Sequence, residues 1–209
     1  MAIGATLSAN GAAFQNGGFE SPGSATGGTT FLNSSNSSLL SGWTTTGNNS
    51  EFYVCGNQWG INAGGGNCYL GWGANGTTGG TISQTFDTFA GHTYVVTYQL
   101  PPQQFSGTPP FQAALVAALD GSTMLGGATN SFNHAAGVWQ PGRTVTFVAA
   151  SASTTLRFTD GTLSGNSGPV NWALDNIAVT DVTPANVPEP STWVLAAAGL
   201  GLVALRRRK

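Results

Sequence analysis

The residues able to do chemistry are few in this chain, and their spacing narrows what they can do. His92 and His134, the only two histidines, stand far apart, and no His-Glu-x-x-His, Walker, Cys-x-x-Cys or Gly-x-Ser-x-Gly pattern occurs. Gly165-Asn166-Ser167-Gly168-Pro169, with His134 and Asp160 upstream, has the order of a His-Asp-Ser nucleophile set. The interval from His134 to Ser167 leaves too little chain for the two-barrel fold in which that order occurs, Asn166 stands where an acid belongs, and the Gly/Ser/Asn run has turn chemistry. A glycosidase needs two facing carboxylates, one of them desolvated. Here Asp120 and Asp160 each precede a glycine at a turn, and nothing pairs them. The expectation is a protein that is not an enzyme.

What remains is recognition. Aromatic faces stack on pyranose rings, while amides and carboxylates bond the hydroxyls in a concave, largely preformed site. Trp43, Trp139 and Trp172 adjoin strand-like segments and read as packing. Trp59 differs, because it stands in the polar stretch Asn57-Gln58-Trp59-Gly60 between the two cysteines. Trp59, Trp72, Asn57 and Gln58 are therefore the candidate ligand-binding set, with Gln99, Gln103 and Gln104 as possible neighbours beside Pro101-Pro102.

The elements that must position these residues divide into a domain and a tail. At the C-terminus, Val187-Pro188-Glu189-Pro190 precedes the almost wholly apolar stretch Ser191–Leu205 and then Arg206-Arg207-Arg208-Lys209. The apolar part reads as a membrane helix, although it is shorter than the roughly 20 residues of a full span. Short basic flanks stay cytoplasmic, which places everything before Pro188 across the membrane. This order resembles the PEP-CTERM sorting signal of Gram-negative bacteria, with Pro188, Glu189 and Pro190 as its motif and Arg206, Arg207, Arg208 and Lys209 as its basic tail. The resemblance implies processing by an exosortase-type enzyme, a transient stay in the inner membrane, and delivery to the cell surface or extracellular matrix. An uncleaved tail anchor is the alternative. Such tails also carry an ice-binding label, but ice binding needs threonines regularly spaced on a repeat, and Thr44-Thr45-Thr46 is too short.

Export fits the composition. Charged residues make up 7% of the chain and glycine numbers 31, so Ser, Thr, Asn and Gln must solvate the surface. Before Val187, seven acids face only Arg143 and Arg157, a net charge of −5. That excludes a nucleic-acid ligand, which needs clustered cations. In an exported protein Cys55 and Cys68 are expected to pair; as a metal site they lack a histidine at ligand spacing. Residues 1–12 read as the remnant of a signal peptide, 13–183 as one domain, and 184–209 as the sorting segment.

Within the domain, apolar residues recur with period two and turn residues interrupt every ten positions or so, which predicts an all-β fold. The expected strands are Ala13–Phe19, Gly42–Thr46, Glu51–Cys55, Cys68–Trp72, Thr81–Phe89, His92–Leu100, Gln112–Leu119, Arg143–Ala149, Thr154–Thr159 and Val170–Val179. That number of short strands without helices implies a two-sheet jelly-roll sandwich, followed by the short C-terminal hydrophobic helix. Asn16-Gly17-Gly18-Phe19-Glu20, then Ser41-Gly42-Trp43, and finally Ala173-Leu174-Asp175-Asn176-Ile177 are similar to the opening and closing motifs of galactose-binding-like sandwiches, including family 4/9 and 22 carbohydrate-binding modules. This resemblance implies contact with extracellular polysaccharide. It also implies a structural calcium ion at Glu20 and Asp175, joining the two ends of the domain. The alternative is that the two acids only accept backbone N–H groups where strands end.

Overall fold

Strand formation follows the period-two pattern. In Thr81–Asp87 and Thr93–Leu100 every second side chain is buried, with Ile82, Phe86, Tyr94, Val96, Tyr98 and Leu100 facing inward. The computed structural model describes residues 12–25, 28–33, 35–46, 48–58, 61–73, 79–100, 112–132, 139–161 and 172–185. Trp59, His134, residues 165–169, the sorting motif Pro188 to Pro190 with its hydrophobic stretch, and the basic tail Arg206 to Lys209 lie outside the described residues, as does almost all of the expected signal remnant.

Eleven strands occur among the described residues: β1 (Thr29–Asn33), β2 (Thr44–Thr45), β3 (Asn48–Cys55), β4 (Cys68–Trp72), β5 (Thr81–Asp87), β6 (Thr93–Leu100), β7 (Gln112–Asp120), β8 (Thr123–Phe132), β9 (Gln140–Val148), β10 (Ser153–Asp160) and β11 (Trp172–Asp181). They form a six-stranded sheet in the order β1-β3-β4-β11-β6-β9 and a five-stranded sheet in the order β2-β5-β10-β7-β8. All pairs are antiparallel. This is the two-sheet sandwich that the sequence implies.

The main core lies between the sheets. Leu70, Trp72, Trp172, Leu174 and Phe147 meet Ile82, Phe86, Val116, Leu156 and Phe158 there. Each fully buried apolar side chain of this size contributes roughly 1.5–3 kcal/mol. Trp72 and Trp172, directly paired across β4 and β11, stack with centroids 3.9 Å apart. Their indole N–H groups are satisfied by the Gly80 carbonyl at 3.1 Å and Asp160 Oδ1 at 2.9 Å, as buried donors require.

Three departures from the sequence reading have physical causes. Ala13–Phe19 is not a strand: Asn16 and Phe19 take positive φ, and the Phe19 N–H closes a turn on the Asn16 carbonyl at 3.2 Å. Gly17 is needed there, because a Cβ would collide with the Ile177 carbonyl oxygen. The strand β8 was not anticipated, since Gly126-Gly127 interrupts its pattern. Those glycines let neighbouring backbones approach: a Cβ on Gly126 would stand 2.5 Å from the Thr146 carbonyl oxygen, and one on Gly127 2.7 Å from that of Val116. β1, a five-residue edge strand, was likewise not anticipated.

Candidate functional site

The opening segment is fastened directly to the closing strand. Asn16 holds the turn through its side chain, donating to the Ser21 and Ser41 carbonyls and accepting from the Ser21 N–H. Trp43 Nε1 donates to the Asn16 carbonyl at 3.0 Å, and the Ile177 N–H donates to the Gly17 carbonyl at 2.9 Å. In β11 the pairing with β6 is interrupted between Asp175 and Ala178, where Asn176 has φ 51°. This bulge ends regular pairing beside the turn that presents Glu20.

The chain between β3 and β4 folds over the outer face of the six-stranded sheet. Cys55 and Cys68 are cross-strand partners and form the expected disulfide. Inside the loop they close, Ile61 packs on Phe52, Val54, Tyr69 and Ala173, making a second apolar cluster outside the main core. Trp139 covers its edge, meeting Tyr69 edge-on at 5.9 Å and donating from Nε1 to the Asn62 carbonyl at 2.7 Å.

The two carboxylates expected to act together both grip this loop. Glu20 Oε1 accepts the N–H groups of Asn67 and Cys68, each at 2.8 Å. Asp175 Oδ2 accepts from Gly65 N–H at 2.9 Å and Oδ1 from Asn176 N–H at 2.7 Å. Asp175 is fully buried. Loss of hydration pushes its carboxyl up to about 7, against the backbone N–H groups of Gly65, Asn176 and Gly64, while the charge of Glu20 adds to the rise. Asn176 Nδ2 also donates to Gln99 Oε1 at 3.1 Å, so Gln99 belongs to the same cluster.

These residues fit a hard cation in part. A Cβ on Gly18 would stand 3.9 Å from Asp175 Oδ1 and from Glu20 Cγ, and 4.0 Å from Asn176 Oδ1, so one carboxylate oxygen, one amide oxygen and the stem of Glu20 gather round that glycine. Such oxygen donors suit calcium, whose charge would relieve the burial of Asp175 beside Glu20. No group of three or more His, Cys, Asp or Glu side chains gathers among the described residues, so amide and carbonyl oxygens would have to complete the shell.

The other candidates divide. Asn57 is exposed and Gln58 half-buried, both on the loop, where Gln58 bridges Ile61. Trp72 must be corrected: with no exposed surface and one face against Trp172, it offers no ring to a ligand and belongs to the core. Trp43 and Trp172 are also core residues. Trp139, read from sequence as packing alone, is the half-buried indole beside the loop's amides. No local signal could place it there, since its partner Asn62 lies 77 residues away.

Residues 12–180 match the family model described as a protein of unknown function, DUF642, and residues 186–209 match the PEP-CTERM protein-sorting motif. No curated protein matches the chain. Among solved structures, a cyclase from Fischerella sp. TAU in complex with 4-(1H-indol-3-yl)butan-2-one is similar over 84% of this chain and 99% of that chain, with 21% identity and a TM-score of 0.59. The crystal structure of a cyclase from the same source aligns over 81% of this chain and 95% of that one, at 21% identity and a TM-score of 0.57. TmCBM61 in complex with β-1,4-galactotriose aligns over 80% of this chain and 97% of that one, at 16% identity and a TM-score of 0.49. At 21% identity the likeness to the two cyclase structures is one of fold.

Proposed function

Because the chain belongs to the DUF642 family and ends in a PEP-CTERM sorting motif, we propose that it is an exported, non-catalytic protein of the cell surface or extracellular matrix, and that its domain contacts polysaccharide through the disulfide loop. The observation that carries this reading is the tethering of that loop. Asn57, Gln58, Asn62 and Asn67 project from a segment held by a disulfide, two carboxylates and the Trp139 indole. Amides on a preformed surface beside an aromatic ring are what pyranose hydroxyls and C–H faces require, and holding the loop before binding lowers the entropy lost on association.

An exosortase-type enzyme acts near Pro188, Glu189 and Pro190, after the Ser191–Leu205 stretch has held the chain in the inner membrane of a Gram-negative cell. Calcium, where bound, sits between Glu20 and Asp175 and locks the opening turn to the closing strand. A melting curve that EGTA leaves unmoved removes calcium from the account.

The polysaccharide reading is tested by pull-down on a panel of neutral and charged polysaccharides. Retention should be lost in Trp59→Ala and in Trp139→Ala. Retention unchanged in both variants, or none in the parent protein, favours a structural or adhesive role without a defined ligand. Hydrolysis of chromogenic glycosides, abolished by replacing one carboxylate, would make the protein a glycan-active hydrolase.

A further inference from the structure

At the end of the sandwich where β11 finishes, away from the disulfide loop, lies an open cleft of about 500 Å³. Its walls are the rings of Phe14, Phe86, Phe89 and Tyr94, and its charged groups are Asp87 and Asp181. Among the described residues no lysine or arginine lines it. The walls are fixed in place. Phe14 meets Phe86 edge-on at 5.5 Å, Tyr94 stacks on Phe147 at 5.4 Å, and the Tyr94 hydroxyl accepts the Phe89 N–H at 2.9 Å. Phe89 nevertheless stays 49% exposed.

Asp181 is built to remain an anion. Its Oδ2 is 2.7 Å from His92 Nδ1 and its Oδ1 accepts the Thr183 N–H at 2.9 Å. The His92 bond, then those from Thr183, draw its carboxyl down to about 2. The Asp181 side chain is still 36% exposed, so its oxygens stay within reach of a ligand.

Fixed aromatic faces beside carboxylates, with no lysine or arginine among the described lining residues and His92 engaged on Asp181, are the complement of an organic cation. Ring faces attract an ammonium group, and a carboxylate gives it a short charge-assisted bond. A bare metal ion would leave four rings unused and an acidic sugar would be repelled, while a neutral sugar would bond the carboxylates through its hydroxyls but bring no charge to match theirs. The volume lies within the range of small-ligand sites.

We propose that this cleft binds a non-acetylated amino sugar, its C–H face on Phe89 and its protonated amine toward Asp87 and Asp181. Where the proposed function gives the domain a polysaccharide partner, this second site selects for glucosamine-type units; it rests on that reading for the polymer but uses none of the loop's residues.

Titration calorimetry on the full-length protein tests it, with an oligomer of glucosamine and, as controls, the N-acetylated oligomer and a cello-oligosaccharide of equal length. The glucosamine oligomer should bind at least tenfold more tightly than either control, and Phe89→Ala and Asp87→Asn should each weaken it about tenfold. Thr85→Val, on the open outer face of the five-stranded sheet, should leave it unchanged. Equal affinity for the three oligomers, no binding of the glucosamine oligomer, or affinity that survives Phe89→Ala in a protein with unaltered melting overturns the proposal. Loss of polysaccharide retention in Trp139→Ala with amino-sugar binding intact, or the reverse, separates this site from the loop.

Discussion

The outer faces of the two sheets are built from similar strands and end up in opposite states. On the six-stranded sheet, Phe52 and Tyr69 point away from the main core yet are buried, because the loop from Gly56 to Asn67 lies over them. On the five-stranded sheet no described segment covers the face. There Thr85 and Thr155 share a hydroxyl bond at 2.8 Å, Thr81 donates to Thr159 at 3.0 Å, and Arg157 and Leu115 stand exposed. Burial outside the main core is thus produced by tethers, namely a disulfide and two carboxylates, and not by strand composition alone. The covered face should respond to mutation like an interior, and the open face like a surface.

The largest expected effect is at the covered cluster itself. Phe52→Ala should cost about 4 kcal/mol in urea unfolding, within the range for deleting a buried phenylalanine; a loss under about 1 kcal/mol would mean the loop does not exclude water from that face. Next comes the main tether. Replacing Cys55 and Cys68 together by serine opens a loop of sequence separation 13, which in the chain-entropy model removes about 3 kcal/mol. The double variant should also lose protection of the Tyr69 amide in hydrogen exchange, while the Thr85 amide keeps its own.

The third effect is a pH dependence. The folded Asp175 carboxyl, at about 7, lies above its ordinary value of 3.8, so the folded state binds that proton more tightly than the unfolded chain does. Stability should therefore be greatest below about pH 4 as far as this group is concerned and fall as pH rises through 7, by on the order of 2 kcal/mol between about pH 5 and about pH 7.5. Asp181 works in the opposite sense only in more acid solution: its carboxyl is held down to about 2, so the stability it contributes is lost as pH falls from about 4 through that value. Chemical denaturation at pH 5 and pH 7.5 should show the Asp175 slope in the parent protein and a flat line in Asp175→Asn. A slope unchanged by that substitution would assign the dependence to another group. The smallest effect belongs to the open face, where Thr85→Val should shift stability by no more than about 0.5 kcal/mol.

The contrast between the faces was partly legible beforehand. β5 alternates strictly, as a strand with one solvated side must. Cys68-Tyr69-Leu70-Gly71-Trp72 does not alternate, and all five residues are buried, as a doubly covered strand requires. That same run holds the misassigned ligand residue: Trp72, grouped with Trp59 although it ends an expected strand, stacks on Trp172 inside the core. Glu20 and Asp175 were found because their motifs mark the two ends of the domain. That both would hold the loop between the cysteines was not legible, since backbone N–H groups of residues 65–68 leave no mark in the sequence. The same holds for Phe89, whose exposure depends on a turn, and for Trp139, whose role depends on contacts made far along the chain.

The position of β11 bears on timing. It is the last of the described strands in sequence but lies inside its sheet, between β4 and β6, so until it arrives β1-β3-β4 and β6-β9 have no described strand to bridge them. Pairings across about 80 to 100 residues form slowly. A chain that crosses a membrane with its sorting tail last must hold these two ribbons open until nearly the whole domain has emerged. Chains stopped at residue 171 should remain sensitive to protease, and chains extended to 185 should resist it; equal resistance would contradict this order of events. The closing strand thereby sets the order of events: the domain can complete its fold only as the sorting motif that follows it arrives.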